Sequence, residues 1–261
     1  MKPKLVRTVA ALRRETAKWR REDLTYAVVP TMGALHEGHL TLVREGLQRA
    51  DRVITTIFVN PRQFAANEDL GRYPRDEGGD IRKLGGVGSH LIFAPPPEEV
   101  YRENFVTTVS LAGPAKAGLE DKYRPHFFDG VTTIVAKLFI QTGADLAMFG
   151  EKDYQQLIVV KQMARDLDIP VNVIGIPTIR EPDGLAMSSR NRYLSKTERQ
   201  QATAIYRALN KAAEKIRAGA NMQTAARAAH RALNVQGFKV DYVTVRNADT
   251  LAVPKRADEP L

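Results

Sequence analysis

The sequence predicts an α/β fold: a doubly wound parallel sheet followed by a smaller second domain. Three observations predict it. Short apolar, β-branched runs alternate with segments of helical spacing, the pattern of strand–helix–strand units. The runs are apolar throughout, as strands buried on both faces must be. Polar, glycine-bearing clusters fall directly after those runs, and right-handed crossovers bring such strand ends to one edge, where α/β sheets bind ligands.

The elements follow in order. Residues 8–22 read as an amphipathic helix with Val9, Leu12 and Trp19 inward. A strand runs from Tyr26 to Val29 and is expected to stop at Pro30, which has no N–H for a ladder. Gly33 and Gly38 loosen the turn, and from His39 the spacing of Leu40, Val43 and Leu47 is helical. Val53 to Val59 is a second buried strand, ending in Asn60-Pro61-Arg62-Gln63-Phe64. A polar loop through Tyr73-Pro74-Arg75-Asp76 leads to a short helix around Asp80–Leu84. His90 to Ala94 is a third strand, closed by three prolines, and residues 105–111 are expected to add another. Gly130 to Gln141 is a helix. Asp145 to Phe149 is a strand ending in Gly150-Glu151-Lys152-Asp153-Tyr154-Gln155-Gln156, a helix runs on to about Leu167, and Val171 to Ile176 is a strand. Beyond Pro177 the character changes to a polar connection, two alanine-rich helices at about 195–217 and 221–235, and an alternating strand, Lys239 to Arg246. The first domain is therefore placed at 1–176 and the second at 177–261.

Composition narrows the classes. The chain has 261 residues, 43% hydrophobic, enough for a sizeable core. No run approaches the roughly 20 apolar residues of a membrane span, and Met1-Lys2-Pro3-Lys4 lacks the apolar core of a secretory signal. The absence of cysteine excludes disulfides and fits a reducing, cytoplasmic setting. A net charge of +9 suits an anionic substrate or nucleic acid. A nucleic-acid binder needs aromatics interleaved with a basic face, and the 7% aromatics are not grouped that way, so no nucleic-acid partner is expected.

The chemistry concentrates at strand ends. His36 and His39 lie where a strand passes into a helix, whose free N–H groups favour phosphate. Each imidazole can donate to a phosphate oxygen, and each titrates near neutral pH. A zinc site is disfavoured, because there is no cysteine and only five histidines are present. Lys152 can reach a phosphate and Asp153 a ribose hydroxyl. Ser188, Ser189 and Arg190 suit outer phosphates, while Gln63 and Gln156 suit the hydroxyls and carboxylate of a small substrate.

Taken together, P-T-M-G-A-L-H-E-G-H, F-V-N-P-R-Q-F, Y-P-R-D, F-G-E-K-D-Y-Q-Q and D-G-L-A-M-S-S-R-N-R-Y-L resemble, in this order, the pantothenate synthetase (pantoate–β-alanine ligase) family. That family is one of the H-x-G-H nucleotidylyltransferase superfamily. The resemblance is close over residues 26 to about 195 and looser beyond. It implies a Rossmann-like domain, a smaller α+β lid domain and a homodimer. It also implies a reaction: pantoate attacks the α-phosphorus of ATP, pyrophosphate leaves, and the β-alanine amine attacks the pantoyl adenylate. By the same resemblance His36 and His39 hold the triphosphate and Lys152 the α-side phosphates. Ser188, Ser189 and Arg190 bind the outer phosphates, and His36, His39, Lys152 and Arg190 are the catalytic set. The backbone at Met32 and Ile179 lines the nucleotide, with Gly150 and Asp153 at the ribose. Gln63 and Gln156 hold pantoate, with Asn60 and Arg124 beside them. Magnesium accompanies ATP, near Asp80. Other nucleotidylyltransferases share the histidines, but not the amide-bearing V-N-P-R-Q-F and G-E-K-D-Y-Q-Q motifs.

Three positions depart from the family pattern. Gly79 stands where a second acidic residue precedes Asp80. In Arg124-Pro125-His126-Phe127-Phe128-Asp129-Gly130 the histidine is one place early. The chain reaches Leu261 without the usual T-R-L-I-D-N-like end, so the lid sheet is expected to lack a strand.

Overall fold

In the computed structural model, which describes residues 2–256 and 259–261, six parallel strands form one sheet. They are β1 (Lys4–Val6), β2 (Tyr26–Thr31), β3 (Arg52–Ile57), β4 (Leu91–Phe93), β5 (Leu146–Gly150) and β6 (Asn172–Ile176), in the order β1-β4-β3-β2-β5-β6. From β2 the chain winds outward to β3 and β4. It then returns to β2's other side for β5 and β6, so the winding reverses between β2 and β5. In a doubly wound sheet that reversal opens a crevice at the carboxyl ends.

Among the described residues, nine helices accompany the strands: α1 (Val9–Arg21), α2 (Glu37–Leu47), α3 (Glu77–Val87), α4 (Pro97–Val100), α5 (Glu120–Tyr123), α6 (Phe127–Thr142), α7 (Tyr154–Asp166), α8 (Lys196–Arg217) and α9 (Met222–Val235). Leu42 and Val43 of α2 and Leu84 of α3 pack on one face of the sheet, against Ala27, Val29, Val53 and Met148. Leu12 of α1, Val131 and Val135 of α6 and Val160 of α7 pack on the other, against Val28, Ile54 and Ala147. Successive β2 residues thus enter opposite cores, which is why the strand reads as an unbroken apolar run.

Pro30 does not end β2. The strand continues to Thr31, with Pro30 in register with Thr56 of β3. Tyr26 accepts from Asp145 on the β5 side, whereas Thr31 accepts from Phe58 on the β3 side. Alternation therefore turns Pro30 toward β5, where pairing already ends at Val28. The proline costs no ladder bond, because the sheet has begun to part there.

Two predicted strands join no ladder. Residues 105–111 lie on α6 instead: Val109 N–H donates to Thr133 and Val109 C=O accepts from Thr132. Residues 239–246 pair with no strand among the described residues; their half-buried positions include Val243, which packs on the α8–α9 hairpin. Alternation produced a helix-facing edge there, not a sheet. Beyond Ile176, the one β pairing among the described residues is the isolated bridge between Arg180 and Ala186. The short strand β1, paired to β4, escaped the sequence reading, since three residues show no period.

Candidate active site

The loop after β2 carries two successive left-handed residues, Gly33 (φ 81°) and Ala34 (φ 50°). For alanine that conformation costs about 1 kcal/mol, and the surroundings hold it. The Ala34 and Leu35 N–H groups both donate to the Asp80 carboxylate at 2.8 Å. One turn further along α3, Lys83 donates to Leu35 C=O at 2.7 Å. Asp80 is 1% exposed, and burial raises its pKa while the two N–H groups oppose the rise. Expected beside magnesium, Asp80 is instead the clamp of this loop, with both oxygens engaged.

The clamp delivers the two histidines. His36 caps α2, its Nδ1 accepting from Gly38 N–H at 3.1 Å, while His39 Nδ1 accepts from His36 N–H at 3.3 Å. The ring centroids are 4.1 Å apart. Gly38 is required by contact: a Cβ there would stand 2.9 Å from His36 Cε1. Because both Nδ1 atoms accept, both rings are the Nε2–H tautomer. Burial, reinforced by the nearby cations Lys152 and Lys83, lowers His36 to about 4; burial, His36 itself and the same lysines lower His39 to about 3. The expectation that either ring titrates near neutrality is thus corrected. Both are neutral donors through Nε2.

Across the crevice, Gly150 ends β5 and Lys152 follows in a single helical turn, Glu151–Asp153. Lys152 Nζ rests on the Asp153 carboxylate at 3.0 and 3.1 Å. A Cβ at Gly150 would meet nothing within 4 Å, so that side is open to a ligand. The two glutamines opening α7 have different fates. Gln155 is buried and spends its amide on Glu120 N–H, Pro114 C=O and Asp121. Both line the cavity, but the Gln156 carboxamide has no hydrogen-bond partner among the described residues.

On the β3 side, Asn60 is 1% exposed and lies behind Gln63. Its Nδ2 donates to Gln63 Oε1 and to Gly130 C=O, each at 3.1 Å, and its Oδ1 accepts from Tyr101 at 2.7 Å. Gln63 is thereby turned so that Nε2 points away from Asn60, toward Met32 Sδ at 3.3 Å. Arg124 is consumed by Glu68, Glu120 and Gln63 C=O. Asn60 and Arg124, expected to touch substrate, thus have their polar groups spent on shaping the loop that carries Gln63. His126 is exposed and caps nothing.

The connection after β6 closes over the crevice. Ser189 is buried and donates to Ala34 C=O at 2.9 Å, so its hydroxyl ties this segment to the β2 loop. Ser188 Oγ accepts from Arg190 N–H, and Ile179 C=O accepts from Met187 N–H. Arg190 pairs with Asp69. Together these segments enclose a cavity of about 450 Å³. Every residue expected at nucleotide or substrate lines it, with the exception of Asp80.

The family model for pantoate–β-alanine ligase matches residues 4–260. The chain is 53% identical over 257 residues to a pantothenate synthetase of Bradyrhizobium strain BTAi1, covering 98% of this chain and 90% of that one. The chain belongs to the pantoate–β-alanine ligase family. It is a ligase, joining pantoate to β-alanine. The solved pantothenate synthetase of Thermus thermophilus superposes with a TM-score of 0.90 at 46% identity, covering 96% of this chain and 90% of that one. The ligase of Francisella tularensis, complexed with beta-gamma ATP and β-alanine, superposes at 0.83 with 31% identity, covering 94% and 90%. The fold is accordingly Rossmann-like.

Part of this ligase's cavity was invisible to residue-by-residue reading. Val131, Ile134, Val135 and Leu138 line it from α6. Helical spacing marks that face as core, and it is core as well as wall. Tyr242 reaches the cavity from the unpaired 239–246 segment, and no local signal marks it. Among the described residues no three His, Cys, Asp or Glu side chains converge to hold a metal. The protein groups described do not form a cage for magnesium.

Proposed function

We propose that this ligase works through a pantoyl adenylate, with ATP and pantoate side by side in the crevice between β2 and β5. The carrying observation is that one cavity joins two unlike ends. One end presents the neutral His36 and His39 donors, the α2 N-terminus and Lys152; the other presents the Gln63 and Gln156 carboxamides beside the apolar face of α6. The first suits phosphate. The second suits a small branched hydroxy acid, whose methyl groups meet Val131 and Val135 while the amides meet its hydroxyls and carboxylate.

In the first step a pantoate carboxylate oxygen bonds to the α-phosphorus as the bond to the bridging oxygen breaks. Pyrophosphate leaves with the electron pair. Little covalent help is needed from the protein; alignment and charge neutralisation carry the step. The Nε2–H groups donate to phosphate oxygens without a proton leaving either ring, and Lys152 exchanges Asp153 for developing negative charge. In the second step the β-alanine amine attacks the acyl carbon, the acyl–oxygen bond breaks, AMP leaves and the amine loses a proton. Magnesium bound with ATP would neutralise phosphate charge; the described residues form no cage for it, and no step is assigned to it.

Family likeness supports further parts of the reading: a homodimer in the cytoplasm, with residues 177–261 as a lid over the mixed anhydride. The Ser189–Ala34 bond is the contact through which such a lid meets the β2 loop. ATP–pyrophosphate exchange tests the chemistry. Exchange is expected with pantoate alone; exchange that appears only once β-alanine is added rules out the adenylate.

A further inference from the structure

Glu68 and Asp69 are neighbours that face different arginines. Glu68 pairs with Arg124, which also holds Gln63 C=O at 3.0 Å and so closes the loop on the acid-binding side. Asp69 pairs with Arg190 on the side of the α2 N-terminus. Its two oxygens accept from Arg190 Nε at 2.9 Å and Nη2 at 2.8 Å. The Asp69 side chain is 15% exposed, whereas that of Arg190 is 44% exposed. The guanidinium lies 5.5 Å from the Tyr73 ring centroid and 5.9 Å from that of Phe64. Tyr193 ties the same two segments, donating to Arg72 C=O at 3.1 Å. Arg190 Nη1 has no hydrogen-bond partner among the described residues, and Arg190 lines the cavity.

An arginine has five N–H donors in a rigid fork. A carboxylate on the Nε/Nη2 edge takes two of them, fixes the plane and leaves the Nη1 edge free. We infer that Asp69 is a positioning residue, holding Arg190 by its Nε/Nη2 edge so that the Nη1 edge meets the outer phosphates of ATP. The inference rests on the nucleotide reading proposed above. Asp69 touches no substrate in this arrangement; it acts through Arg190, and the two aromatic rings keep the guanidinium from swinging away. The pair also lowers the Asp69 pKa, chiefly through the Arg190 hydrogen bond, so the carboxylate stays charged at neutral pH.

Calorimetric titration of the full-length wild type, Asp69→Asn, Arg190→Ala and the double variant tests this, with ATP and with AMP as ligands. Asp69→Asn is expected to weaken ATP about tenfold, the scale of one charge-assisted hydrogen bond. AMP affinity should hold within about twofold, since AMP lacks the outer phosphates. The double variant should bind ATP no more weakly than Arg190→Ala alone, because the two residues act as one unit. Parallel loss of AMP and ATP means general damage to the site and overturns the inference. So do additive losses in the double variant, and so does tighter ATP binding by Asp69→Asn, which would make Asp69 a competitor of the phosphates. A wild type that binds no ATP would strike at the nucleotide reading itself. A wild type that binds ATP beside an unaffected Asp69→Asn strikes at Asp69 alone.

Discussion

The two walls of the cavity are built by different means. The histidine wall is held by the backbone: Asp80 and Lys83 grip the Ala34–Leu35 peptides, and each imidazole anchors itself through Nδ1 to a nearby N–H. The amide wall is held by other side chains: Asn60 orients Gln63, Tyr101 orients Asn60, and Arg124 braces the loop. The first arrangement suits a fixed target of dense charge, because short, backbone-anchored donors need no reorganisation as charge develops. The second suits recognition, since a chain of side-chain hydrogen bonds discriminates by what it leaves unpaired.

If this division holds, substitutions in the histidine wall, and of Lys152 facing it across the crevice, strike the chemical step. His39→Ala and Lys152→Ala are each expected to slow pantoate-dependent ATP–pyrophosphate exchange by two to three decades, about 3 kcal/mol of lost stabilisation of developing charge. Circular dichroism should show both variants folded. Wild-type exchange in both would erase the proposed role of this wall.

The contrast also explains what was legible in the sequence. The histidine wall is nearly contiguous, a strand, a glycine turn and a helix start within one stretch, so its layout could be read from spacing alone, while the neutral state of its buried rings could not. Parallel strands buried on both faces were equally plain. The amide wall is assembled over long separations, and nothing local tells Gln155, whose amide is spent as a brace, from Gln156, whose amide is not. Nor does anything local show that Asn60 and Arg124 are spent on bracing. Asp80 looks like a metal ligand in sequence; only the fold brings it beneath two backbone N–H groups of another segment. Residues 239–246 alternate as a strand does, yet what they pack on is a helical hairpin.

A second set of variants sharpens the contrast from the other side. Gln63→Ala and Gln156→Ala are expected to weaken pantoate binding by one to two decades, about 2 kcal/mol, and ATP binding by no more than a few-fold. Titration of each ligand into each variant separates the walls. Equal losses for both ligands would merge them into one.

The clamp beneath the histidines predicts a stability effect. Asp80→Asn turns an amide NH₂ against one of two backbone N–H donors and removes the charge from the other bond. A loss of about 1–2 kcal/mol is expected, the scale of one buried donor left unpaired, visible as a lower urea midpoint with an unchanged slope. An unchanged midpoint would mean that the left-handed loop holds itself.

The smallest effect follows from the neutral imidazoles, and it too separates the walls, because the amides do not titrate. The folded protein lowers His36 to about 4 and His39 to about 3, chiefly by burial, from an ordinary 6.5. Between those values and 6.5 the unfolded chain binds protons that the folded chain does not. Stability therefore rises with pH across this window and is lost as pH falls from about 6.5 toward 4. Because His36 is only partly buried, the pair is credited with on the order of 1 kcal/mol between pH 7 and 5.5. Carboxylates titrate at the lower end of the same window, so the measurement must be a difference. Melting temperatures of wild type and of His36→Gln/His39→Gln, compared from pH 7.5 to 5.0, isolate the histidines. The wild-type curve should fall the more steeply, by a few degrees at pH 5.5. Curves that stay parallel would show that these rings protonate in the folded protein as freely as in the unfolded chain. Donation through Nε2 of a neutral ring would then fail as the description of the histidine wall.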